Sequence, residues 1–241
     1  MEPDFSSLFH QSSKDRAKGH PPIPLNDSDW PASWKTIEYK VYPRLPKILL
    51  PTGDLKADLA ETLKNRRSSR DFSGKPLALH ELGTLLKYAC GEKGGERRTH
   101  PSGGARFPIE IYPIVLNGSG ELKEGAYHYH IPNHALEVLY AGDSFDRALL
   151  TPLVGLPWMR EAGALLVFTA VFDRNQRKYG ERGYRYILHE AGHIGQNVYL
   201  VGEALGLKIL ALAGTNDEPI ERLLDIDGVT ESLVYAILAG K

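Results

Sequence analysis

Apolar residues recur along this chain with two different periods. Leu55, Leu59 and Leu63 stand four apart with charged residues between them, which predicts a helix with Asp54 as its N-cap. Leu82, Leu85, Leu86 and Ala89 form the stripe of a second helix over Leu79–Cys90. The longest helical pattern runs over Tyr184–Leu205, where Ile187, Ala191, Ile194, Val198, Val201 and Leu205 follow the 3.6 period and Gly206 suits the C′ position. Short apolar runs predict strands over Ile109–Leu116, Ala126–His130, Leu136–Tyr140 and Ala164–Val171, with a helix over Asp143–Leu150 between the last two. A strand over Lys208–Ala213, a short helix near Ile220–Leu224 and a last strand over Leu233–Leu238 complete the pattern. The runs at Tyr127 and Leu136 are close enough for a hairpin. That favours an α+β fold with a mostly antiparallel sheet over a doubly wound parallel one.

The first part of the chain is different. Eight of the 16 prolines fall before residue 52, together with Trp30, Trp34, Tyr39 and Tyr42. Proline fixes φ and removes a donor, so residues 1–52 are expected to form an extended arm with at most short helices. Disordered tails are poor in aromatic residues, so the arm should pack on a body formed by residues 53–241. Within the long helix, Gly192, Gly195 and Gly202 each cost about 1 kcal/mol relative to alanine, which calls for close approach of another helix or a flat ligand.

Composition narrows the classes. The chain has 241 residues, 42% hydrophobic and 24% charged, and a net charge of −1. This is the balance of a globular protein, and no overall basic field exists to hold nucleic acid or an anionic membrane. Cys90 has no disulfide partner and no CxxC pair is present for zinc, which fits a reducing compartment. Met1–Arg16 is polar, and the longest apolar run, Ala162–Phe172, is shorter than the roughly twenty residues of a spanning helix, so a cytoplasmic protein is expected.

Four segments carry candidate chemistry. Arg66-Arg67-Ser68-Ser69-Arg70 gathers three guanidinium forks and two hydroxyls at a helix exit, either a phosphate clamp or a solvated basic turn. Pro101-Ser102-Gly103-Gly104-Ala105-Arg106 precedes a strand, and its glycines allow backbone amides to approach a flat or anionic ligand; the alternative is an ordinary loop. His189-Glu190-Ala191-Gly192-His193 matches the HExxH zinc pattern, but no third ligand follows at the usual spacing, and Glu203 faces elsewhere on the same helix. Lys178-Tyr179 sits among Arg174, Arg177, Arg182 and Arg185. Those cations would lower a lysine pKa and favour a neutral, basic amine able to move protons; the commoner alternative is a solvated loop lysine beside a snorkelling tyrosine.

Taken together, RRSSRDF, PSGGARFPIEIY and KYGERGYRYILHEAGHIGQNVYLVGEALGL resemble the nitroreductase superfamily, and within it the SagB-type dehydrogenases, the azoline oxidases of azole-forming peptide pathways. The arm adds Phe9-His10, Asp29-Trp30 and Tyr39-Lys40-Val41-Tyr42-Pro43, so the resemblance covers nearly the whole chain. It implies a nitroreductase-like α+β sandwich that binds FMN, as a homodimer with flavin at the subunit interface. By matching positions, Arg66, Arg67, Ser68 and Arg70 would hold the phosphate, and Pro101, Ser102, Gly103, Gly104 and Ala105 the ribityl chain and ring. Leu212, Ala213 and Gly214 would offer a backbone amide to flavin N5, and Lys178 and Tyr179 would handle protons. Glu190, His193, Gln196 and Asn197 belong to the family pattern, which makes HExxH a coincidence and implies no metal. Many nitroreductases end in a basic tail that reaches the phosphate; here Lys241 is the candidate substitute. The implied activity is dehydrogenation of a thiazoline- or oxazoline-type ring to an azole during peptide or natural-product maturation, with a cyclodehydratase as a possible partner. An NAD(P)H-dependent nitro- or quinone reductase is the competing enzyme, and a non-redox scaffold in a peptide-modifying complex the alternative outside catalysis.

Overall fold

The computed structural model describes residues 4–14, 23–24, 26–146, 148, 157–212 and 214–241. Its centre is one seven-stranded sheet. In chain order the strands are β1 (Lys47–Leu49), β2 (Ile109–Val115), β3 (Gly125–His130), β4 (Ala135–Ala141), β5 (Ala164–Val171), β6 (Lys208–Leu212) and β7 (Glu231–Gly240). They lie in the order β1-β4-β3-β2-β5-β7-β6, and every neighbouring pair is antiparallel. The expected hairpin is β3–β4, with Tyr127 opposite Val138 and Tyr129 opposite Leu136.

The helices are α1 (Phe5–Ser12), α2 (Ala32–Lys35), α3 (Leu59–Asn65), α4 (Leu79–Cys90), α5 (Asp173–Tyr179), α6 (Arg182–Ala204) and α7 (Asp217–Leu223). The central strands read as continuous apolar runs because both faces of the sheet are covered. Along β5, Leu166 and Phe168 join the core beneath α4 and α6, whereas Leu165 and Val167 join the opposite core with Ile220 and Leu223 of α7. This is the period-two alternation of a strand with two buried faces.

Two helix glycines are explained by packing. A Cβ at Gly195 would stand 2.6 Å from the Tyr235 ring, and one at Gly202 would collide with Ile209, so both let α6 lie close on β6 and β7. Gly192 faces open space, so its expected packing role is not found.

Several expectations need correction. The N-cap of α3 is Asp58, whose carboxylate accepts from the Glu61 amide at 2.9 Å, and not Asp54; the helix begins one turn later than the leucine spacing suggests. Leu59 and Leu63 are exposed rather than core residues. Of the helix expected over Asp143–Leu150, Gly142–Ser144 forms a short 3-10 turn, and residues 147, 149 and 150 lie outside the described residues. The last strand is longer than expected and begins at Glu231. Strand β1 comes from the proline-rich stretch, whose prolines mask a strand of only three residues.

That stretch is fixed to the sheet by buried charges. His128 lies between two carboxylates, 3.0 Å from Glu110 and 2.8 Å from Glu137, and Arg174 reaches Glu110 at 2.5 Å. The Lys40 amide donates to Glu110, the Tyr42 amide donates to Glu137 at 3.0 Å, and the Lys40 ammonium pairs with Glu231. Burial alone would lower His128, but hydrogen bonds and charge from Glu110 and Glu137 outweigh it and raise its pKa. Burial alone would raise both glutamates. The hydrogen bond to His128 and the neighbouring cations instead hold them well below the usual carboxylate range.

Candidate active site

Two groups of the expected residues are each brought together, at different places on α6. The first is built around Gly104, which has φ +64, a backbone conformation that favours glycine. A Cβ there would collide with Tyr179 Oη and come within 3.2 Å of Lys178 Nζ, so the Pro101–Ala105 loop lies directly against the Lys178–Tyr179 pair. Lys178 and Tyr179 are the last two residues of α5, which ends at Gly180 in a conformation with φ +56. Lys178 is 3% exposed, and its ammonium is buried with no hydrogen-bond partner among the described residues. Burial, with the Arg106 guanidinium nearby, lowers its pKa to about 8. At pH 7 about a tenth of such an amine is neutral, far more than of an ordinary lysine, and the neutral form is what a proton acceptor needs.

The flank of this group is a hollow of about 240 Å³ lined by Pro101, Ser102, Gly103, Tyr186, His189, Glu190 and His193. Here HExxH separates: His189 and His193 are exposed, while Glu190 is buried and pairs with His100 at 3.3 Å. Among the described residues no group of three or more His, Cys, Asp or Glu side chains could hold a metal ion.

The second group is the arginine–serine segment. Ser68 bridges to Ile209 of β6, and its hydroxyl lies 2.9 Å from Tyr199 Oη of α6. The same tyrosine oxygen accepts from the Ala211 amide at 2.9 Å, and the Arg66 guanidinium lies 5.3 Å from the Tyr199 ring centroid. Arg66, Arg67 and Arg70 form no ion pair among the described residues, so three guanidinium groups remain for an anion such as a phosphate. Farther along β6, Ala211 and Leu212 line a hollow of about 460 Å³ with Tyr184, Leu188, Val234 and Tyr235. Gly214 follows directly; Ala213, the other residue of that turn, lies outside the described residues. Lys241 pairs with Glu81 at 2.9 Å, while its carbonyl accepts from the Ser73 amide.

The two groups are far apart within one protomer. Gly103 lies against Tyr186 and Ser68 against Tyr199, thirteen residues farther along α6, which at 1.5 Å per residue is about 20 Å. The two hollows also open on opposite flanks of α6, one at Tyr184 and Leu188, the other at Tyr186, His189 and His193.

Sequence reasoning missed several participants. Tyr199 joins the serine hydroxyl to β6, and its place on the sheet-facing stripe of α6 was the available signal. Trp30 caps Lys178, its ring centroid 3.2 Å from the ammonium, and Arg106 ties the arm down. Nothing local in the sequence relates Trp30 to Lys178.

Residues 63–241 match the nitroreductase family. A nitroreductase-type protein of Methanocaldococcus jannaschii is 35% identical over 171 residues, covering 70% of this chain and 84% of that protein. The microcin B17-processing protein McbC of Escherichia coli is 32% identical over 158 residues, covering 63% of this chain and 57% of McbC, so the match spans little more than half of that relative. In fold, the chain superposes on the E. coli microcin synthetase McbBCD complex with a TM-score of 0.64 and 23% identity, over 98% of this chain and 91% of that one. Among the described residues no helix is long and apolar enough to cross a membrane. With the antiparallel sheet, the arginine–serine segment on β6 and the glycine loop against Lys178 and Tyr179, the chain belongs to the nitroreductase family of oxidoreductases.

Proposed function

We propose that this protein is an FMN-dependent dehydrogenase that converts a thiazoline- or oxazoline-type ring to an azole in the maturation of a peptide or related natural product. The observation that carries the reading is the buried Lys178 amine, which has no hydrogen-bond acceptor among the described residues, is lowered to about 8 and is set against Gly104 and Tyr179. A family member that only passes hydride between a nicotinamide and a nitro group or quinone has less need of a buried amine poised as a base. Similarity to a microcin-processing protein supports the substrate class.

The residues fit FMN. Arg66, Arg67 and Arg70 supply cationic forks and Ser68 a hydroxyl for the phosphate, and the hollow lined by Ala211, Leu212, Tyr184 and Tyr235 offers space for the ring. When bound, FMN supplies the hydride acceptor at N5. Neutral Lys178, with Tyr179 beside it, takes the proton that leaves the azoline carbon as the hydride departs. Oxygen is the terminal acceptor in this reading, and a ring-forming cyclodehydratase is the partner that supplies the substrate. Lys241, held by Glu81, contributes to the phosphate site only if that pair opens.

The reading also requires a homodimer. The two hollows open on opposite flanks of α6, so in this reading the arginine–serine segment and the Ala211–Leu212 hollow of one protomer are completed by the glycine loop and Lys178 of another. Anaerobic flavin spectra test the assignment. Bleaching of the oxidised flavin by an azoline peptide, with FMN recovered on acid extraction, is expected. Bleaching by NADPH alone, with no response to the azoline, would replace it with the reductase reading. A colourless protein that cannot be reconstituted would leave the scaffold.

A further inference from the structure

Lys178 can exchange a proton only if something can reach it, and in this structure the arm covers it. Trp30 lies face-on over the ammonium at 3.2 Å and Trp34 at 5.8 Å. Such a contact holds a segment without fixing it permanently.

The arm is attached unequally along its length. From Lys40 to Lys47 it is bolted: the amides of Lys40 and Tyr42 and the ammonium groups of Lys40 and Lys47 meet the carboxylates of Glu110, Glu137 and Glu231, all buried. Upstream, Asn26–Thr36 is held more lightly. Arg106 donates to the carbonyls of Ser33 at 3.1 Å and Thr36 at 2.9 Å, and Trp30 rests on Lys178. Most residues of this stretch are exposed, including Asn26–Asp29, Ala32, Ser33, Lys35 and Thr36. Arg106 also donates to the carbonyl of Gly104, so the latch and the glycine loop share one guanidinium.

We propose that Asn26–Thr36 is a gate over Lys178, hinged next to the bolted Lys40–Lys47 stretch and latched by Arg106, and that Trp30 occupies the place a substrate's planar ring takes when the gate opens. The inference rests on the reading of Lys178 as the proton acceptor. An indole face and a five-membered azoline ring are both flat groups that stack on the same slot beside Gly104 and Tyr179, and either one excludes water from the amine. The gate therefore keeps the amine dry between turnovers and selects for flat rings over bulky, non-planar ones.

Amine acetylation of the full-length protein, followed residue by residue in peptide mass spectra, tests this without any turnover. In the wild type Lys178 should acetylate at least about tenfold more slowly than exposed Lys64, because modification waits for a local opening. Trp30→Ala should bring Lys178 close to the Lys64 rate, Trp30→Phe should retain protection, and Arg106→Gln should fall between. The rate at Lys64 should not change in any of them, which separates gate opening from loss of the fold. Equal rates at Lys178 and Lys64 in the wild type, or continued protection in Trp30→Ala, would overturn the gate. Failure of the catalytic reading has a different signature: Lys178→Ala would oxidise azoline like the wild type while the labelling pattern of the native protein stayed as described.

Discussion

At the scale of single residues, the proposed chemistry rests on two positions where ordinary preferences are set aside. Lys178 is a buried amine with aromatic rings around it but no hydrogen-bond acceptor among the described residues, a setting that favours loss of its proton. Removing it should therefore leave the fold intact: Lys178→Ala and Tyr179→Phe should retain FMN but slow azoline oxidation by about 10²–10⁴, the usual loss when a general base is removed. Reduction by dithionite should be unaffected, since it needs no protein base. Rapid-mixing spectra at saturating azoline read this directly, and wild-type turnover in both variants would strip the pair of its role. Gly104 is the second position. Gly104→Ala places a methyl group where Tyr179 Oη stands, in a backbone conformation that costs an L-residue about 1 kcal/mol. A small loss in thermal midpoint is expected, together with a much larger loss in kcat than in flavin affinity.

At the scale of elements, α6 has two kinds of glycine with opposite expectations. Gly202→Ala must push Ile209 aside and should destabilise by about 1–3 kcal/mol, as overpacking does. Gly192→Ala enters open space on the same helix and should stabilise by up to about 1 kcal/mol through helix propensity. Urea unfolding of the two variants side by side would show whether the close approach of α6 to the sheet is real; equal effects would refute it. The carboxylate–His128 cluster beneath the arm predicts a stability plateau. His128, raised in the fold, adds stability below its unfolded value near 6.5, and that contribution is lost as pH climbs through its higher folded value. Glu110 and Glu137, lowered in the fold, add stability above their unfolded values near 4.3, and it is lost as pH falls through their lower folded values. Thermal midpoints should thus decline on both sides of a window from about 4.5 to 6.5, and His128→Gln should flatten the alkaline decline. The element boundaries were legible in the sequence wherever burial imposed a period, as on α4 and in β2 and β5. They were illegible for β1, whose three residues are too few to show one.

At the scale of the whole molecule, the proposed function has the two halves of the site completed between two protomers rather than within one. Mixing makes this measurable. Arg70→Ala and Lys178→Ala homodimers should each be impaired, the first in flavin binding and the second in turnover. Dissociated and reassociated together, they should yield mixed dimers in which one of the two sites carries neither defect. Recovery of about a quarter of wild-type activity per flavin site in an equimolar mixture is the statistical expectation for random reassociation of a two-fold pair. No recovery, with mixed dimers confirmed by mass, would mean that each protomer builds its own site. The exposed apolar side chains Leu59, Leu63 and Leu188 are candidate contacts for that association.

The sequence alone determined the local features: the long helices α4 and α6 and the buried strands, that the sheet is mostly antiparallel, and which residue types could bind phosphate or move a proton. These follow from periodicity and side-chain chemistry, which act over a few residues. Only the tertiary structure decided how those pieces meet. It set Gly104 against Lys178, Ser68 against Tyr199 and Trp30 over the lysine, and it placed the glycine loop and the arginine–serine segment at different levels of α6. It also drew the proline-rich arm into the sheet through Glu110, Glu137 and Glu231. Such contacts join residues distant in the chain and depend on sheet order and helix packing, which no local pattern encodes.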